Sequence, residues 1–541
     1  MHRRNVMPLA RRGVRLSVVA CFLVLPMAAR STTGHAAASD RQTLVIAAHQ
    51  GPTDLDPATS YDGPSALILR GVYEGLVRLR GSSTTQLEPA LATSWTSSRG
   101  GAVWTFNLRH HVRFHDGTPF DAEAARESIL RTLKINQGPA FIEGQFVAPA
   151  GIQVVDPYTL RFTLKGASGV FPTAMAAEWG NWIISPAAFK AHQQKGDASH
   201  AWLQSHEAGT GPYTLSQIVH GQSTTLVQFP GYWAGWSGKH LRRIIVNEVV
   251  ADATRREEVE KGDADIANYL TPQDLTAMAG NAALVIDKSY GMRNLSLVMT
   301  EAGPLATPLA RQAMGYVFDY NAYINDLLKG FGRQAQGPLP RTFLGHDFGL
   351  PLYHTDLNKA KSLLQQAGVA AGTQMTLWYQ AEDPVTYAAA QVMQAQLSQI
   401  GINLKIEQHD GNSFISMYYG NTPPAQRPNF FVWYWYPDYN DPGDWLYPQY
   451  YSKQAGSAGS NGGFYKNAQV DKLLDRAALL ADAKQRLALY NQIQRTLTLD
   501  DPAAVFVADL PESVVYRTNV HGYYLNPVYT QSFAFYRMWK S

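Results

Sequence analysis

The chain has 541 residues, of which 45% are hydrophobic and 16% are charged, and its formal net charge is +3. This composition excludes an intrinsically disordered chain, and the length suffices for two or more packed lobes. Residues 1–38 contain six arginines and no acidic residue, so the formal charge of the remaining chain is −3. A mildly acidic chain without a basic cluster binds nucleic acid poorly, and we expect no nucleic-acid partner.

An export signal is predicted at the N-terminus. Arginines precede the apolar run 16–29, and the three alanines at 36–38 provide the small residues of a cleavage site. We therefore predict a signal peptide over 1–38, cleavage near Ala38 and a periplasmic location. Cys21, the only cysteine, falls inside this segment. Lipidation at Cys21 stays an alternative, and the mature chain would contain no disulfide.

Hairpins and short helices are predicted in the first half of the chain, because period-2 alternation and turn residues dominate there. The predicted elements, in chain order, are a strand over 43–48, a helix over 66–79, a strand over 103–108, a helix over 121–132 with Asp121 as its N-cap, a hairpin over 154–163, a strand pair over 213–229, a strand over 244–250, a helix up to Lys261 and a strand from Asp265.

Strands and helices alternate after about residue 290, which favours an α/β lobe with a mixed sheet. The predicted elements are a strand over 295–299, helices over 309–317, 320–329 and 356–367, a strand over 375–379, a helix over 385–400, strands over 402–407 and 430–435, helices over 470–477 and 484–498, and strands over 503–508 and 512–516.

The most distinctive stretch is FFVWYWYPDYNDPGDWL at 430–446. Its aromatic half predicts a buried strand, and its prolines and Asn-Asp pair predict a turn. Asp438 therefore lies where a buried strand ends, beside Trp435, Tyr436 and Tyr439. Ligands often bind at strand ends in α/β domains. On the local pattern alone, a turn or helix-cap role for Asp438 stays open.

Short motifs follow one another along nearly the whole mature chain. They are YEGL at 73–76, PALATSW at 89–95, WTFNLR at 104–109, FHDGTP at 114–119, GTGPY at 209–213, YW at 232–233, GDADI at 262–266, RQAM at 311–314, FD at 318–319 and LLQQAG at 363–368. In content and order they resemble periplasmic solute-binding proteins of family 5, the peptide and nickel class that serves ABC importers. Their joint occurrence after a signal peptide is specific for that family.

The resemblance implies an α/β fold of the type II periplasmic-binding kind, with two lobes joined by a hinge. Lobe I would comprise 39–288 with 512–541, including an inserted hairpin-rich subdomain at about 80–205, and lobe II would comprise 289–511. Crossovers near Tyr290 and Leu510 would form the hinge, and closure around the ligand is the implied motion. The implied partner is the membrane permease of an ABC importer, and we expect a monomer.

The resemblance also implies a ligand site. In oligopeptide-binding members, an Asp three residues after a Trp takes the ammonium of the ligand's N-terminus. The matching residues here are Trp435 and Asp438, with Tyr436 and Tyr439 beside them. A loop after the first strand also contributes contacts in those members, and the residues that match it in position are Tyr61, Asp62 and Gly63.

Other residues receive weaker expectations. Asp441 and Asp444 are expected to act as turn and cap residues. For a ligand carboxylate, Arg427 and Arg333 are the nearby candidates, and neither is assigned. No cofactor and no metal ligand are expected.

The expected function is capture of a small peptide in the cleft between the lobes and its delivery to an ABC importer. A peptide presents an ammonium at one fixed place whatever its sequence, and a buried carboxylate binds that group by a strong charge-assisted hydrogen bond. Aromatic walls accept varied side chains.

Alternatives stay open. A sugar, a nickel complex or another small solute would suit the same transport role, with His110, His111 and the His115-Asp116 pair as metal candidates in what is more simply a solvated turn. A sensor or chaperone role without an importer is also open. A secreted glycosidase is a remote alternative. The mature sequence has no G-x-S-x-G, no H-E-x-x-H and no cysteine nucleophile, so we expect no enzyme and no catalytic residue.

Overall fold

The computed structural model describes residues 40–381, 383–480, 482–529 and 532–541. The predicted signal peptide, with Cys21 and the cleavage site near Ala38, lies outside the described residues. The described residues belong to one compact unit. None of their helices combines the length and apolar character that a bilayer crossing requires.

The strands, in chain order, are β1 Thr43–Ala48, β2 Val77–Leu79, β3 Leu87–Pro89, β4 Ala92–Ser98, β5 Val103–Leu108, β6 Val147–Asp156, β7 Thr159–Leu164, β8 Tyr213–Val219, β9 Ser223–Gln228, β10 Arg243–Glu248, β11 Ile266–Ala267, β12 Leu284–Asp287, β13 Tyr290–Met299, β14 Arg333–Gln334, β15 Gln374–Gln380, β16 Asn403–His409, β17 Phe430–Trp435, β18 Ala504–Pro511, β19 Val514–Arg517, β20 Val520–His521 and β21 Trp539–Lys540.

The α-helices are α1 Gly63–Val72, α2 Ala122–Ile135, α3 Ala140–Gly144, α4 Phe171–Ala174, α5 Pro186–Ala191, α6 His200–Leu203, α7 Asp252–Lys261, α8 Pro272–Ala277, α9 Pro308–Val317, α10 Leu357–Gln366, α11 Pro384–Gln399, α12 Gly411–Tyr418, α13 Pro442–Tyr450, α14 Ala468–Leu479 and α15 Ala483–Arg495. Two π-helical turns occur at Ala322–Leu327 and Thr496–Asp500. Asp or Asn side chains cap many of the helix N-termini, Asp121 on α2 among them, as the sequence predicts.

A seven-stranded sheet forms the core of the first lobe, in the order β12-β19-β11-β1-β10-β9-β8. Strand β1 lies between β11 and β10 and runs parallel to both. All six residues of β1 are buried, because a central parallel strand is covered on both faces.

A six-stranded mixed sheet forms the core of the second lobe, in the order β14-β18-β13-β17-β15-β16. The aromatic strand β17 pairs antiparallel with β13 and parallel with β15. Its residues Phe430, Phe431 and Val432 are buried, which agrees with the predicted buried strand. Asp438 follows directly in the loop after the C-terminal end of β17.

The chain passes from the first sheet to the second between β12 and β13, and it returns between β18 and β19. Within the first lobe, strands β4 to β7 form a separate four-stranded antiparallel sheet with a hydrophobic core of its own. The lobe and subdomain boundaries given above stay predictions.

Several stretches differ from the predicted elements, α1 and α13 among them. The helix predicted over 66–79 is present, but its predicted end is wrong, because α1 ends at Val72 and the chain continues as an extended segment into β2. Tyr73 has already left the helical region, with φ −116° and ψ 159°. The extended segment then passes close to the carbonyl oxygen of Asn181, which a Cβ atom at Gly75 would meet at 3.0 Å. The helix α13 was not predicted from the sequence, although Pro442 occupies its first turn and only Pro448 lies inside it.

A buried ion pair fixes the loop between β1 and α1. Arg131 on α2 donates from Nη1 and Nη2 to the two carboxylate oxygens of Asp56, at 2.7 and 2.6 Å. Both side chains are almost fully buried. The Asp56 carboxylate also accepts from the backbone N–H of Ala58 at 2.9 Å. The loop that leads to Tyr61 is therefore attached to α2.

We expect Arg131→Met to lower the free energy of unfolding by about 3–5 kcal/mol, because it leaves the Asp56 carboxylate buried without its arginine partner. Lys190→Met is the matched control, since Lys190 forms an exposed pair with Glu127 and its loss should cost less than about 1 kcal/mol. Chemical denaturation of both variants measures the difference. Equal stability of the two variants would contradict the assigned role of the Asp56–Arg131 pair.

Candidate ligand-binding cavity

A cavity of about 1650 Å³ lies between the two lobes. The first lobe lines it with the start of α1, the region around α3 and Trp179. The second lobe lines it with the end of β17, the first turns of α13 and the last turns of α14. Its volume exceeds the roughly 300–1,000 Å³ of ordinary small-molecule sites, so the cavity is large enough for a ligand of several residues.

All seven residues that the sequence predicts as ligand contacts line this cavity. They are Tyr61, Asp62, Gly63, Trp435, Tyr436, Asp438 and Tyr439. The structure therefore brings together two segments that are more than 370 residues apart in the chain. Their assignment as ligand contacts stays a prediction.

Asp438 is only 3% exposed and forms a hydrogen bond across the cleft. The hydroxyl of Tyr61 donates to Oδ1 of Asp438 at 2.6 Å. Tyr61 is 43% exposed, but its hydroxyl lies among protein atoms against Asp438. Desolvation, followed by the charge of Asp438, raises the pKa of Tyr61 above its ordinary value, so the hydroxyl stays protonated and acts as the donor. No ion pair within the described residues includes Asp438.

Burial raises the pKa of Asp438 from 3.8 to about 7, and hydrogen bonds with Tyr61 and Asp444 lower it in part. Removing a carboxylate from water disfavours its charged form, and the two hydrogen bonds do not fully offset this effect. A cation close to Asp438 would lower its pKa further. Near neutral pH this side chain is therefore poised between its neutral and charged forms.

Asp444 lies behind Asp438 and does more than the turn or cap role expected from the sequence. Its Oδ2 accepts from the backbone N–H of Asp438 at 2.8 Å and from that of Tyr439 at 3.3 Å. Burial, followed by the charge of Asp438, raises the pKa of Asp444 well above its usual range. The two carboxyl groups form a buried pair in which at least one proton is retained at neutral pH.

Asp441 has the cap role that the sequence predicts. It is the N-cap of α13, where its side chain accepts from the backbone N–H of Gly443 at 2.9 Å. Its other oxygen accepts from Nη2 of Arg486 at 2.8 Å. This arginine therefore balances Asp441, and no basic side chain in the described part of the chain forms an ion pair with Asp438 or Asp444.

The aromatic residues at the end of β17 and in the loop that follows differ in their surroundings. Trp435 and Tyr436 are half-buried on the cavity wall, and the indole N–H of Trp435 has no hydrogen-bond partner in the described residues. Tyr439 is 4% exposed and packs into the main hydrophobic core of the first lobe, with its ring centroid 6.2 Å from that of Phe146. Tyr439 thus contributes more to the contact between lobes than to the open cavity surface.

The two arginines considered for a ligand carboxylate lie away from the cavity. Arg427 donates to the backbone carbonyls of Tyr418 and Gly462, and Arg333 pairs with Asp509 at 3.0 Å. Neither residue lines the cavity. Both positions serve internal hydrogen bonding, which the sequence pattern could not indicate.

The histidine candidates for metal binding are engaged in the fold. His115 contacts the carboxylate of Glu207 at 2.7 Å and the carbonyl of Gly211 at 2.9 Å. His110 stacks on Tyr158. Across the described part of the chain, no group of three or more His, Cys, Asp and Glu side chains has the arrangement of a metal site.

Several cavity residues were not predicted from the sequence. Asp383 caps the N-terminus of α11, Trp179 stands with its ring centroid 5.2 Å from that of Tyr61, and His49 packs against Tyr269. Each is brought to the cavity by tertiary contacts rather than by a local pattern, so no short motif marks them.

A comparison with protein families matches residues 86–457 to the family described as bacterial extracellular solute-binding proteins, family 5. The chain belongs to this family. The family-5 resemblance of the sequence motifs is thereby confirmed, and family-5 proteins are substrate-binding components of transport systems.

Known relatives of this family-5 chain agree with the assignment. A probable D,D-dipeptide-binding periplasmic protein of Escherichia coli is 31% identical over 524 residues, which are 95% of this chain and 97% of the relative. A glutathione-binding protein of Shigella dysenteriae is 27% identical, over 90% of this chain and 92% of the relative.

A solved structure of a Helicobacter pylori periplasmic binding protein in complex with the peptide STSA superposes with a TM-score of 0.80. The identity is 27%, and the match covers 92% of this chain and 98% of that one. The two-lobed type II periplasmic-binding fold is confirmed by this likeness.

The Asp438 site gives a stability prediction. A carboxyl whose pKa is raised from 3.8 in the unfolded chain to about 7 in the folded protein stabilises the fold fully below pH 3.8, and this contribution is lost as the pH rises to 7. We expect Asp438→Asn, which mimics the neutral acid, to melt at a higher temperature than the wild type at pH 8, with the difference vanishing near pH 4. Thermal melts across this range provide the test. A lower melting temperature for the variant at pH 8 would refute the assigned pKa shift.

Proposed function

We propose that this protein captures a short peptide in its interlobe cavity and delivers it to an ABC importer. The observation that carries the proposal is the buried carboxyl of Asp438, which lines the cavity, is 3% exposed and has no ion-pair partner within the described residues. An uncompensated buried carboxyl is costly to the free protein. A ligand ammonium would supply the missing cation.

The geometry around Asp438 suits an ammonium. Tyr61 occupies one carboxylate oxygen, and the backbone N–H of Asp438 is already used by Asp444, so the acid is held in one orientation. An ammonium has three donors and would bind the carboxylate by a short charge-assisted hydrogen bond. On binding, the pKa of Asp438 would fall, because an adjacent positive charge favours the ionised form.

The aromatic walls support a peptide with varied side chains. Phe141, Trp179, Trp433, Trp435 and Tyr436 all line the cavity. Their rings offer broad apolar surface without demanding polar partners. Tyr61, Asp62 and Gly63 are proposed as the contacts from the first lobe. A peptide ligand is also supported by two similar proteins, one named as a probable D,D-dipeptide-binding protein and one solved in complex with the peptide STSA.

The arrangement of Asp438 and Asp444 differs from that of the two catalytic carboxyl groups of a glycosidase. Glycosidases keep their two carboxyl groups about 5–9.5 Å apart with the scissile bond or a water between them. Asp444 instead lies behind Asp438, where its Oδ2 accepts from the backbone N–H of Asp438 at 2.8 Å. We therefore propose no enzyme activity and no cofactor. Export by a signal peptide cleaved near Ala38, a periplasmic location, a monomeric state and a permease partner complete the proposal.

The test is calorimetric binding to protein stripped of its ligand by unfolding and refolding. We expect Asp438→Asn to weaken binding of a free tripeptide such as Ala-Ala-Ala by about 2–5 kcal/mol, the cost of truncating one partner of a buried charge pair. Acetylation of the peptide's N-terminus should weaken binding to the wild type by a similar amount, because it removes the ammonium.

Asp410→Asn is the matched control. Asp410 caps α12, is exposed and does not line the cavity, and asparagine serves equally well as an N-cap. Its binding should equal that of the wild type. Tight binding of the free peptide to Asp438→Asn, or of the acetylated peptide to the wild type, would rule out the proposed anchor.

A further inference from the structure

The cavity carries an excess of negative charge. Among its described lining residues there are six carboxyl groups and two basic side chains. The acidic residues are Asp62, Asp383, Asp438, Asp441, Asp444 and Asp475, and the basic residues are Lys165 and Arg486. His49 also lines the cavity, and burial lowers its pKa to about 4, so it is neutral near pH 7. The imbalance exceeds that of the mature chain as a whole, which is nearly neutral for its size.

Both basic side chains are already engaged. Arg486 forms an ion pair with Asp441 at 2.8 Å, as described above. Lys165 is exposed, and its Nζ donates to the backbone carbonyl of Gly144 at 2.5 Å. The lining therefore offers little to attract a ligand carboxylate.

The other five carboxyl groups form no ion pair within the described residues. Asp62 and Asp383 cap α1 and α11 and accept backbone hydrogen bonds, and Asp475 is exposed near Tyr451. Hydrogen bonds orient these side chains without neutralising them. Their charge acts on whatever occupies the cavity.

Neither a proton retained by the Asp438–Asp444 pair nor the nearby Arg293 removes the excess of negative charge in the cavity. Even where the Asp438–Asp444 pair keeps one proton, the remaining lining charge is negative. Arg293 packs behind the aromatic wall, near Tyr434 and Tyr436, and donates to the carbonyl of Pro511. Arg293 does not line the cavity, and its charge lowers the pKa of Glu512, which burial raises.

We propose that the ligand is a peptide with net positive charge, which carries a basic side chain besides its N-terminal ammonium and places no carboxylate deep in the cavity. This rests on the proposed function, because it takes Asp438 as the ammonium anchor. A cleft lined by one sign of charge concentrates ligands of the opposite sign and raises their affinity, and low-dielectric walls strengthen the effect. The aromatic rings add cation–π contacts for a basic side chain.

The test compares three tripeptides on ligand-stripped protein by calorimetry. Ala-Lys-Ala amide carries two positive charges at pH 7, Ala-Ala-Ala is neutral overall, and Ala-Glu-Ala is negative. We expect the lysine peptide to bind at least about tenfold tighter than Ala-Glu-Ala, with Ala-Ala-Ala between them. This ratio should shrink at roughly 1 M salt, where the Debye length is about 3 Å.

A double variant assigns the preference to the cavity. Asp383→Asn with Asp475→Asn should bring the ratio closer to one, since asparagine keeps the cap of α11 while both charges are removed. The control is Asp410→Asn with Asp482→Asn, which removes two charges from exposed N-caps outside the cavity. The control should keep the full ratio.

The outcomes separate this inference from the proposed function. Equal affinities, or tighter binding of Ala-Glu-Ala, overturn the inference, while loss of binding on N-acetylation still supports the anchor. Undiminished binding of N-acetylated peptides overturns the anchor itself. If none of the three free peptides binds, both proposals fall. An unchanged ratio in the cavity double variant also overturns the inference.

Discussion

The ligand cavity is organised around one buried acid that forms no ion pair within the described residues. Asp438 lies at the end of a buried strand, where burial raises its pKa to about 7. A carboxyl in such a place destabilises the free protein unless it is protonated or paired. Its neighbours orient it by hydrogen bonds but add no positive charge. The hydroxyl of Tyr61 donates to its carboxyl group, and Asp444 accepts from its backbone N–H. The surrounding residues thus keep the Asp438 carboxyl buried and oriented at the wall of the cavity.

Both lobes contribute to that arrangement. Asp438 follows β17 of the six-stranded sheet in the second lobe, and Tyr61 lies in the loop before α1 in the first lobe. Tyr439 packs into the core of the first lobe, and Asn440 donates to the carbonyl of Thr84 at 3.2 Å. The loop after β17 is therefore part of both lobes. In the proposed function, ligand binding and contact between the lobes depend on the same few residues.

Much of this could be predicted from the sequence. The run of aromatic residues predicted β17, Asp121 predicted the start of α2, and the Trp435–Asp438 spacing selected residues that line the cavity. Tertiary contacts decided the rest. The extended segment after α1 passes close to Asn181 at Gly75, which no local pattern shows. The hydrogen bond between Asp444 and the backbone of Asp438 depends on α13, a helix that its two prolines disfavour in the sequence. The charge balance of the cavity was also beyond sequence reasoning, because its six acids come from four separate segments of the chain, at Asp62, at Asp383, at 438–444 and at Asp475.

The clamp between Asp56 and Arg131 has a consequence for affinity. Ordering a flexible loop at the moment of binding costs conformational entropy, which subtracts from the binding free energy. Here two parallel hydrogen bonds to Asp56, together with backbone N–H groups of Thr59 and Ser60 that donate to its carbonyl, order the loop during folding. The segment that presents Tyr61 is therefore ordered before any ligand binds. In the proposed function, contacts between Tyr61 and the peptide would lose little free energy to ordering of this loop.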